Sequence, residues 1–250
     1  MASTLLMPEK SVSVLLIDAG NSRIKWQWRD GHAIRAEGAV AHAELTQAGS
    51  LFPVECEQVL VASVRDNTEL HEYLHAHYGA RLHWLAQPVS HHPEFIHCYP
   101  QPARLGVDRW LAMLGARCHY SGHLIVADAG TALTVDLMSA DNHHEGGFIV
   151  PGLQLAQQAL FNSTQRVRPY TDEQAEQHLL PGQDTVSCVS AGAYRQQLAL
   201  VRSVQQDYPQ HVLVITGGDG FWLATQLGCE YRPDLVFDGM DSLCAGSFSP

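Results

Sequence analysis

Two short stretches of this sequence set a carboxylate, a glycine and small polar side chains in a row: Asp18-Ala19-Gly20-Asn21-Ser22 and Asp128-Ala129-Gly130-Thr131. At a hairpin tip such a row offers consecutive backbone N–H groups, unobstructed at Gly20, and the Asn21 and Ser22 donors, a concavity suited to phosphate oxygens. Lys25, just beyond on the returning strand, can reach the same anion, and Asp18 at the strand end can hold a hydrated Mg²⁺ that a nucleotide brings with it. Gly217-Gly218-Asp219-Gly220 adds a glycine-rich turn after an apolar run. Asp108-Arg109, in Leu-Gly-Val-Asp-Arg-Trp from Leu105, supplies a different chemistry. A carboxylate kept ionised beside a guanidinium accepts a proton from a substrate hydroxyl, while the arginine pairs with a substrate anion. The same two residues also fit a helix start, with Asp108 capping and Arg109 at the surface.

Other chemistries lack their signatures. There is no GxxxxGK[ST], no GxGxxG after a strand and no GxSxG, which removes P-loop, Rossmann and common serine-hydrolase readings. His71-Glu72-Tyr73-Leu74-His75 does match HExxH, with Glu94 as a conceivable third zinc ligand. Glu94, however, lies in a loop beside His91, His92 and Pro93, and with 15 histidines in the chain chance matches are inflated, so zinc hydrolysis is a distant alternative. His91-His92 and His143-His144 are taken as solvated pairs.

The elements that must carry these residues follow from the apolar pattern. Val12 to Asp18 and Ile24 to Trp28 predict a hairpin, followed by strands near Ala33 to Val40, Val59 to Val64 and Leu82 to Leu85, with a helix over Thr68 to Tyr78. Gln87 to Ala103, with four prolines, predicts a rigid loop, and Trp110, Leu111, Leu114 and Cys118 predict an amphipathic helix over Asp108 to Tyr120, opened by Gly106. The pattern then restarts: strands at Leu124 to Asp128, Leu133 to Leu137 and Gly146 to Val150, helices at Leu153 to Phe161 and Val186 to Gln206, a strand at Val212 to Thr216, and helices from Phe221 and over Leu235 to Ala245. Leu15 to Gln27 (LLIDAGNSRIKWQ) and Ile125 to Leu137 (IVADAGTALTVDL) can be laid on one another, which predicts two duplicated lobes, 12–121 and 122–250, behind an N-terminal extension, 1–11.

Composition excludes several partners. Twenty-six carboxylates against 15 Lys and Arg give a formal charge of −11, with no basic cluster for a nucleic acid or an anionic membrane. Apolar runs are far shorter than the roughly 20 residues a membrane helix needs, and the N-terminus lacks the pattern of a secretory signal, so a cytoplasmic location is expected. Six scattered cysteines without a CxxC pair predict reduced thiols, mostly core filler.

With DAGNSRIKW (Asp18 to Trp26), LGVDRW (Leu105 to Trp110), DAGTALTVD (Asp128 to Asp136), GGFIVPG (Gly146 to Gly152) and TGGD (Thr216 to Asp219), the sequence resembles the type III pantothenate kinases. These belong to the superfamily of sugar kinases, actin and heat-shock chaperones. The motifs occur in family order over nearly the whole chain. The resemblance implies an α/β fold of two duplicated actin-like (ribonuclease H-like) lobes, each with a mixed βββαβα sheet, and an ATP cleft between them. It implies ATP-dependent phosphorylation of pantothenate, the first step of coenzyme A synthesis. Asp18, Ala19, Gly20, Asn21, Ser22, Arg23, Ile24 and Lys25 would form the first phosphate-binding element, with Thr131 a further ATP contact and Mg²⁺ accompanying the nucleotide. Asp128 would ligate a monovalent cation, K⁺ or NH₄⁺. Tyr99, Gly106, Val107, Asp108 and Arg109 would contact pantothenate, with Asp108 as proton acceptor, and Thr185 would reach a neighbouring subunit's substrate across a homodimer interface. A non-catalytic accessory or regulatory protein on the same fold is the alternative.

Overall fold

The computed structural model describes residues 12–45, 52–53, 55–85, 95–164, 166–169 and 179–244. The expected extension over 1–11, Pro88, Pro93, His91, His92 and Glu94 lie outside the described residues. Contacts divide the chain into two units, Met1–Ala86 and Gln87–Pro250.

In the first unit, β1 (Ser13–Ala19) and β2 (Arg23–Asp30) form the expected antiparallel hairpin, with Asp18 opposite Lys25. β3 (Ala33–Ala41) extends it on one side; β4 (Gln58–Ser63) and β5 (Leu82–Leu85) add parallel strands on the other, giving the order β3-β2-β1-β4-β5. Where the duplication predicts a helix between the third and fourth strands, the described residues hold a single 3₁₀ turn, His42–Glu44. Helix α1 (Thr68–Tyr78) starts at Asn67, whose Oδ1 accepts the Leu70 N–H at 3.0 Å, and buries Leu70, Leu74 and Tyr78 against Leu15, Ile17, Val59 and Val61. Apolar residues at helical spacing on one element and at alternate positions on two strands thus make a single core.

The second unit repeats this topology. Strands β7 (Leu124–Ala129), β8 (Ala132–Met138), β9 (His143–Pro151), β10 (Val212–Thr216) and β11 (Glu230–Tyr231) take the order β11-β10-β7-β8-β9, with β6 (Ile96–His97) added at the far edge. The equivalence extends to register: β1 pairs antiparallel with β2 and parallel with β4, and β7 does the same with β8 and β10. Helices α3 (Leu153–Ser163), α4 (Thr185–Asp207) and α5 (Gly220–Leu227) follow in the predicted places. Strand β6 falls in the proline loop, which predicts no strand; it is two residues long and held by parallel pairing with His143 and His144 of β9.

Helix α2 (Val107–His119) belongs to the second unit rather than to a lobe ending at residue 121. The reason is its packing on α6 (Leu235–Cys244), where two glycines bring the backbones together. A Cβ at Gly115 would strike the Leu235 carbonyl, and one at Gly239 the Leu111 carbonyl. Trp110 and Leu111 are fully buried beside this contact.

Of the cysteines, all free, only Cys56 is buried; Cys98, Cys118 and Cys188 are exposed, against the expectation of core filler. No helix among the described residues is long and apolar enough to cross a membrane.

Candidate active site

The first unit presents the β1–β2 turn. The Gly20 N–H closes it on the Arg23 carbonyl at 3.0 Å, and two side chains hold its own carbonyls. His42 Nε2 lies 2.8 Å from the Gly20 oxygen, and Arg65 Nη1 donates to the Asn21 oxygen at 3.0 Å. Asn67, the cap of α1, contacts His42 Nδ1 at 3.0 Å, so a helix start braces the turn. Asn21, Ser22, Arg23 and Lys25 are exposed, whereas Ala19 and Ile24 are fully buried. His42, Arg65 and Asn67 were not legible as site residues, because nothing in their spacing ties them to a turn some 20 to 45 positions earlier.

In the second unit the equivalent hairpin carries Asp128 and Thr131, and two glycines pack on it. The Gly152 N–H donates to the Thr131 oxygen at 2.9 Å, and a Cβ on Gly152 would collide with the Gly130 and Thr131 carbonyls. Gly217, at φ +91°, lies so close that a Cβ there would strike the Asp128 carboxylate and the Ala129 carbonyl. Tyr231 Oη donates to the Gly217 oxygen at 3.0 Å and the Asp219 N–H to the Ala129 oxygen at 2.9 Å, fixing the glycine turn over the strand end. Around Gly218 there is open space. This crowding of hard oxygen donors, a carboxylate and backbone carbonyls at a cradle only glycine permits, fits an alkali cation or ammonium better than a soft metal.

The third group forms at the start of α2. Gly106 is its N-cap without a side chain, and Asp108 folds back into the space a Cβ on Gly106 would need, its Oδ1 accepting the Arg109 N–H at 2.8 Å. Burial pushes the Asp108 carboxyl above the usual carboxylate range; the Arg109 N–H and the Arg109 charge pull the other way but do not win. The sequence predicts the opposite direction, since it counts Arg109 as Asp108's partner. The guanidinium instead forks onto Asp136 of β8, with Nε 2.9 Å from Oδ2 and Nη2 against Oδ1. Its Nη1 donates to Tyr99 Oη at 2.7 Å. Arg109 is therefore a buried residue, 6% exposed, rather than a surface cation.

The network continues outward. His144 Nε2 lies 2.8 Å from Asp136 Oδ1, its Nδ1 3.7 Å from Cys98 Sγ, and its ring is parallel to that of Tyr99. His144 is buried, which corrects the reading of His143-His144 as a solvated pair: on a strand, neighbours face opposite sides, and only His143 is exposed. Asp136 went unassigned in the sequence, although a carboxylate inside an apolar strand signals a buried partner.

Thr185 is the first residue of α4, behind Asp184, which caps the Ser187 N–H at 2.8 Å. It lines a hollow of about 460 Å³ with Val167, Gly182, Cys188 and Val189. Among the described residues, no hydrogen bond, ion pair or ring contact joins it to Tyr99, Asp108 or Arg109. In the HExxH segment, His71 stacks on Trp84, with ring centroids 5.2 Å apart.

A family model described as type III pantothenate kinase matches residues 14–207. The chain belongs to the type III pantothenate kinase family. A type III pantothenate kinase of Pseudomonas fluorescens (strain SBW25) is 35% identical over 249 residues, covering 92% of this chain and 98% of that protein. Among solved structures, a Baf family protein of Campylobacter jejuni described as a transcriptional activator superposes with a TM-score of 0.63 at 24% identity, covering 93% of this chain and 98% of its own. A Sinorhizobium meliloti protein described as a 2-dehydro-3-deoxygalactonokinase superposes at 0.53 with 12% identity, covering 95% and 100%. At those identities the two structures speak for the fold alone. Of the residues the family resemblance singles out, Tyr99, Gly106, Asp108 and Arg109 form one contiguous cluster, and Asp128 and Thr131 share one hairpin with the glycine turn.

Proposed function

We propose that this chain transfers the γ-phosphoryl group of ATP to the primary hydroxyl of pantothenate, giving 4'-phosphopantothenate and ADP, the first committed phosphorylation on the way to coenzyme A. The observation that carries the reading is the partly buried Asp108 carboxylate at the start of α2, beside Tyr99 and Arg109, in a chain of this family. The hydroxyl oxygen attacks the γ-phosphorus, its proton passes to Asp108 Oδ, and the bond from the γ-phosphorus to the β–γ bridging oxygen breaks as ADP leaves. A carboxyl raised by burial is a stronger base than a free aspartate, which suits it to this proton. Arg109, fixed by Asp136 and Tyr99, positions the acceptor with its remaining N–H donors. Residues Asp18 to Lys25 and Thr131 bind the phosphates through turn backbone and short polar side chains. Asp18 would hold the Mg²⁺ that the nucleotide carries, and that ion would supply neutralisation of phosphate charge. A coupled assay of ADP release with and without pantothenate tests the reaction: release that does not depend on pantothenate would sink it.

Asp128 is assigned to a monovalent cation. A carboxylate facing a triphosphate is repelled unless a cation lies between them, and the oxygen-lined cradle under Gly217 suits K⁺ or NH₄⁺. Turnover is expected to require one of these ions and to collapse in buffer whose only monovalent cation is Na⁺. Equal rates in Na⁺ and K⁺ would remove the assignment.

The active form is proposed to be a homodimer in which Thr185 reaches the partner's acceptor pocket. Supporting this, Cys188 and Val189 line both the Thr185 hollow and an adjoining apolar groove of about 540 Å³ along α3 and α4, and Leu155 and Leu160 of α3 are exposed. Thr185→Arg and Asp108→Asn should each be inactive as homodimers. Subunit exchange between them should restore activity, because a mixed dimer has one pocket with both lesions and one with neither. No recovery on exchange, or a monomeric active species in sedimentation, would rule out the shared pocket.

A further inference from the structure

At the end of the second sheet opposite Asp128, three side chains converge that the kinase chemistry does not use. His123 immediately precedes β7, His211 immediately precedes the parallel strand β10, and Glu145 lies on β9. Glu145 is there because of a bulge. Leu137 pairs with Gly146 and Met138 with His144, so Glu145 is left over between two ladder positions. The ligand atoms of the three side chains all lie within 4.8 Å of one another. His211 Nε2 is 3.4 Å from Glu145 Oε2, and the two imidazole rings are 4.9 Å apart.

Two of the nitrogens are orphaned. His123 Nδ1 and His211 Nδ1 are buried atoms without a hydrogen-bond partner, and the His211 side chain is only 3% exposed. With Nε2 of His211 facing Glu145, its unpartnered Nδ1 is left to carry the imidazole proton, which frees Nε2 to act as a ligand. We propose that His123, His211 and Glu145 form a site for one divalent d-block cation of the Zn²⁺ class. Two imidazoles with one carboxylate select such an ion over Mg²⁺, which prefers an all-oxygen shell. Tetrahedral zinc with bonds of about 2.0–2.1 Å sets its ligands roughly 3.4 Å apart. The His211–Glu145 separation already has this value, and rotation of the exposed Glu145 and the partly exposed His123 closes the rest. With three protein ligands, water completes the shell on the Glu145 side. Bound there, the ion ties the starts of β7 and β10 to β9 across the sheet. Its effect is therefore on stability, independent of the phosphoryl-transfer reading.

The test uses full-length protein stripped with chelator and titrated with Zn²⁺ by calorimetry in excess Mg²⁺, and separately with Co²⁺ while recording visible absorption. Wild type should bind one tight equivalent of Zn²⁺, give a Co²⁺ band, and show a higher thermal midpoint with Zn²⁺. His211→Gln, His123→Asn and Glu145→Gln should each lose about tenfold or more in Zn²⁺ affinity, and with it the Co²⁺ band and the midpoint shift. Metal-free turnover should be unchanged. Glu145 is 43% exposed in its side chain, so Glu145→Gln keeps the fold and decides the matter even if a histidine variant does not accumulate. Unchanged Zn²⁺ affinity in the variants, absence of a tight equivalent in wild type, or equal competition by Mg²⁺ would each overturn the proposal.

Discussion

Asp108→Asn should lower pantothenate-dependent turnover by about 10²- to 10⁴-fold while leaving the fold intact, because the amide keeps the shape of the carboxylate but cannot take the hydroxyl proton. The amide oxygen can still accept the Arg109 N–H that Oδ1 accepts now. Burial holds the Asp108 carboxyl above its ordinary value, and two further consequences carry signs. Turnover should fall on the acid side at a higher pH than a solvent-exposed aspartate would give, because protonation removes the base. Stability should move in the other direction. A carboxyl raised on folding contributes stability below its unfolded value of about 3.9, and that contribution is lost as pH rises through the folded value. At neutral pH the ionised group is therefore a cost, and Asp108→Asn should raise the urea midpoint there, with the gain vanishing below the unfolded value. More than about a tenth of wild-type turnover in the variant would reassign Asp108 to substrate positioning. A lowered midpoint at neutral pH would contradict the buried environment.

Asp136→Asn should destabilise the protein by about 3–5 kcal/mol, the usual cost of leaving a buried charge without its partner. Arg109 and Asp136 are 6% and 2% exposed, so water cannot replace the lost charge, and one amide oxygen is left for Arg109 Nε, Arg109 Nη2 and His144 Nε2, which two carboxylate oxygens now serve. The double variant Arg109→Met, Asp136→Leu should recover much of that stability, since a buried ion pair replaced by apolar side chains is often neutral or better. It should not recover turnover, because Arg109 is what joins Tyr99 to the start of α2. Urea unfolding and the ADP-release assay on the same three proteins separate the two roles. A loss below about 1 kcal/mol in the single variant would mean that Asp136 does not hold Arg109 in solution.

The sequence carried the elements well where the apolar period was strong. α1, β5 and β10 have the bounds the pattern predicts, and the equivalence of the two Asp-Ala-Gly hairpins extends to their neighbours in each sheet. It carried the site less evenly. Asp108 and Arg109 were legible as chemistry, but the direction of the Asp108 shift depends on where the Arg109 guanidinium points, and that is settled by Asp136, 27 positions later. Strand β6 was hidden because two residues carry no period, and the contact division falls at residue 86 because α2 takes its partner from α6 rather than from the strands before it. Long-range pairing of this kind leaves no local trace.

The glycine contact between α2 and α6 also bears on how the protein is made. The helix that carries Asp108 ends at His119, and the helix that seats it begins only at Leu235. At ribosomal rates of about 5–20 residues per second, α2 waits roughly 6–24 s for its support. β1 to β5, whose pairings are all internal to the first 86 residues, can assemble during that interval. Chains that stop short of α6 would then hold the first sheet assembled while the start of α2 has no helix to seat it.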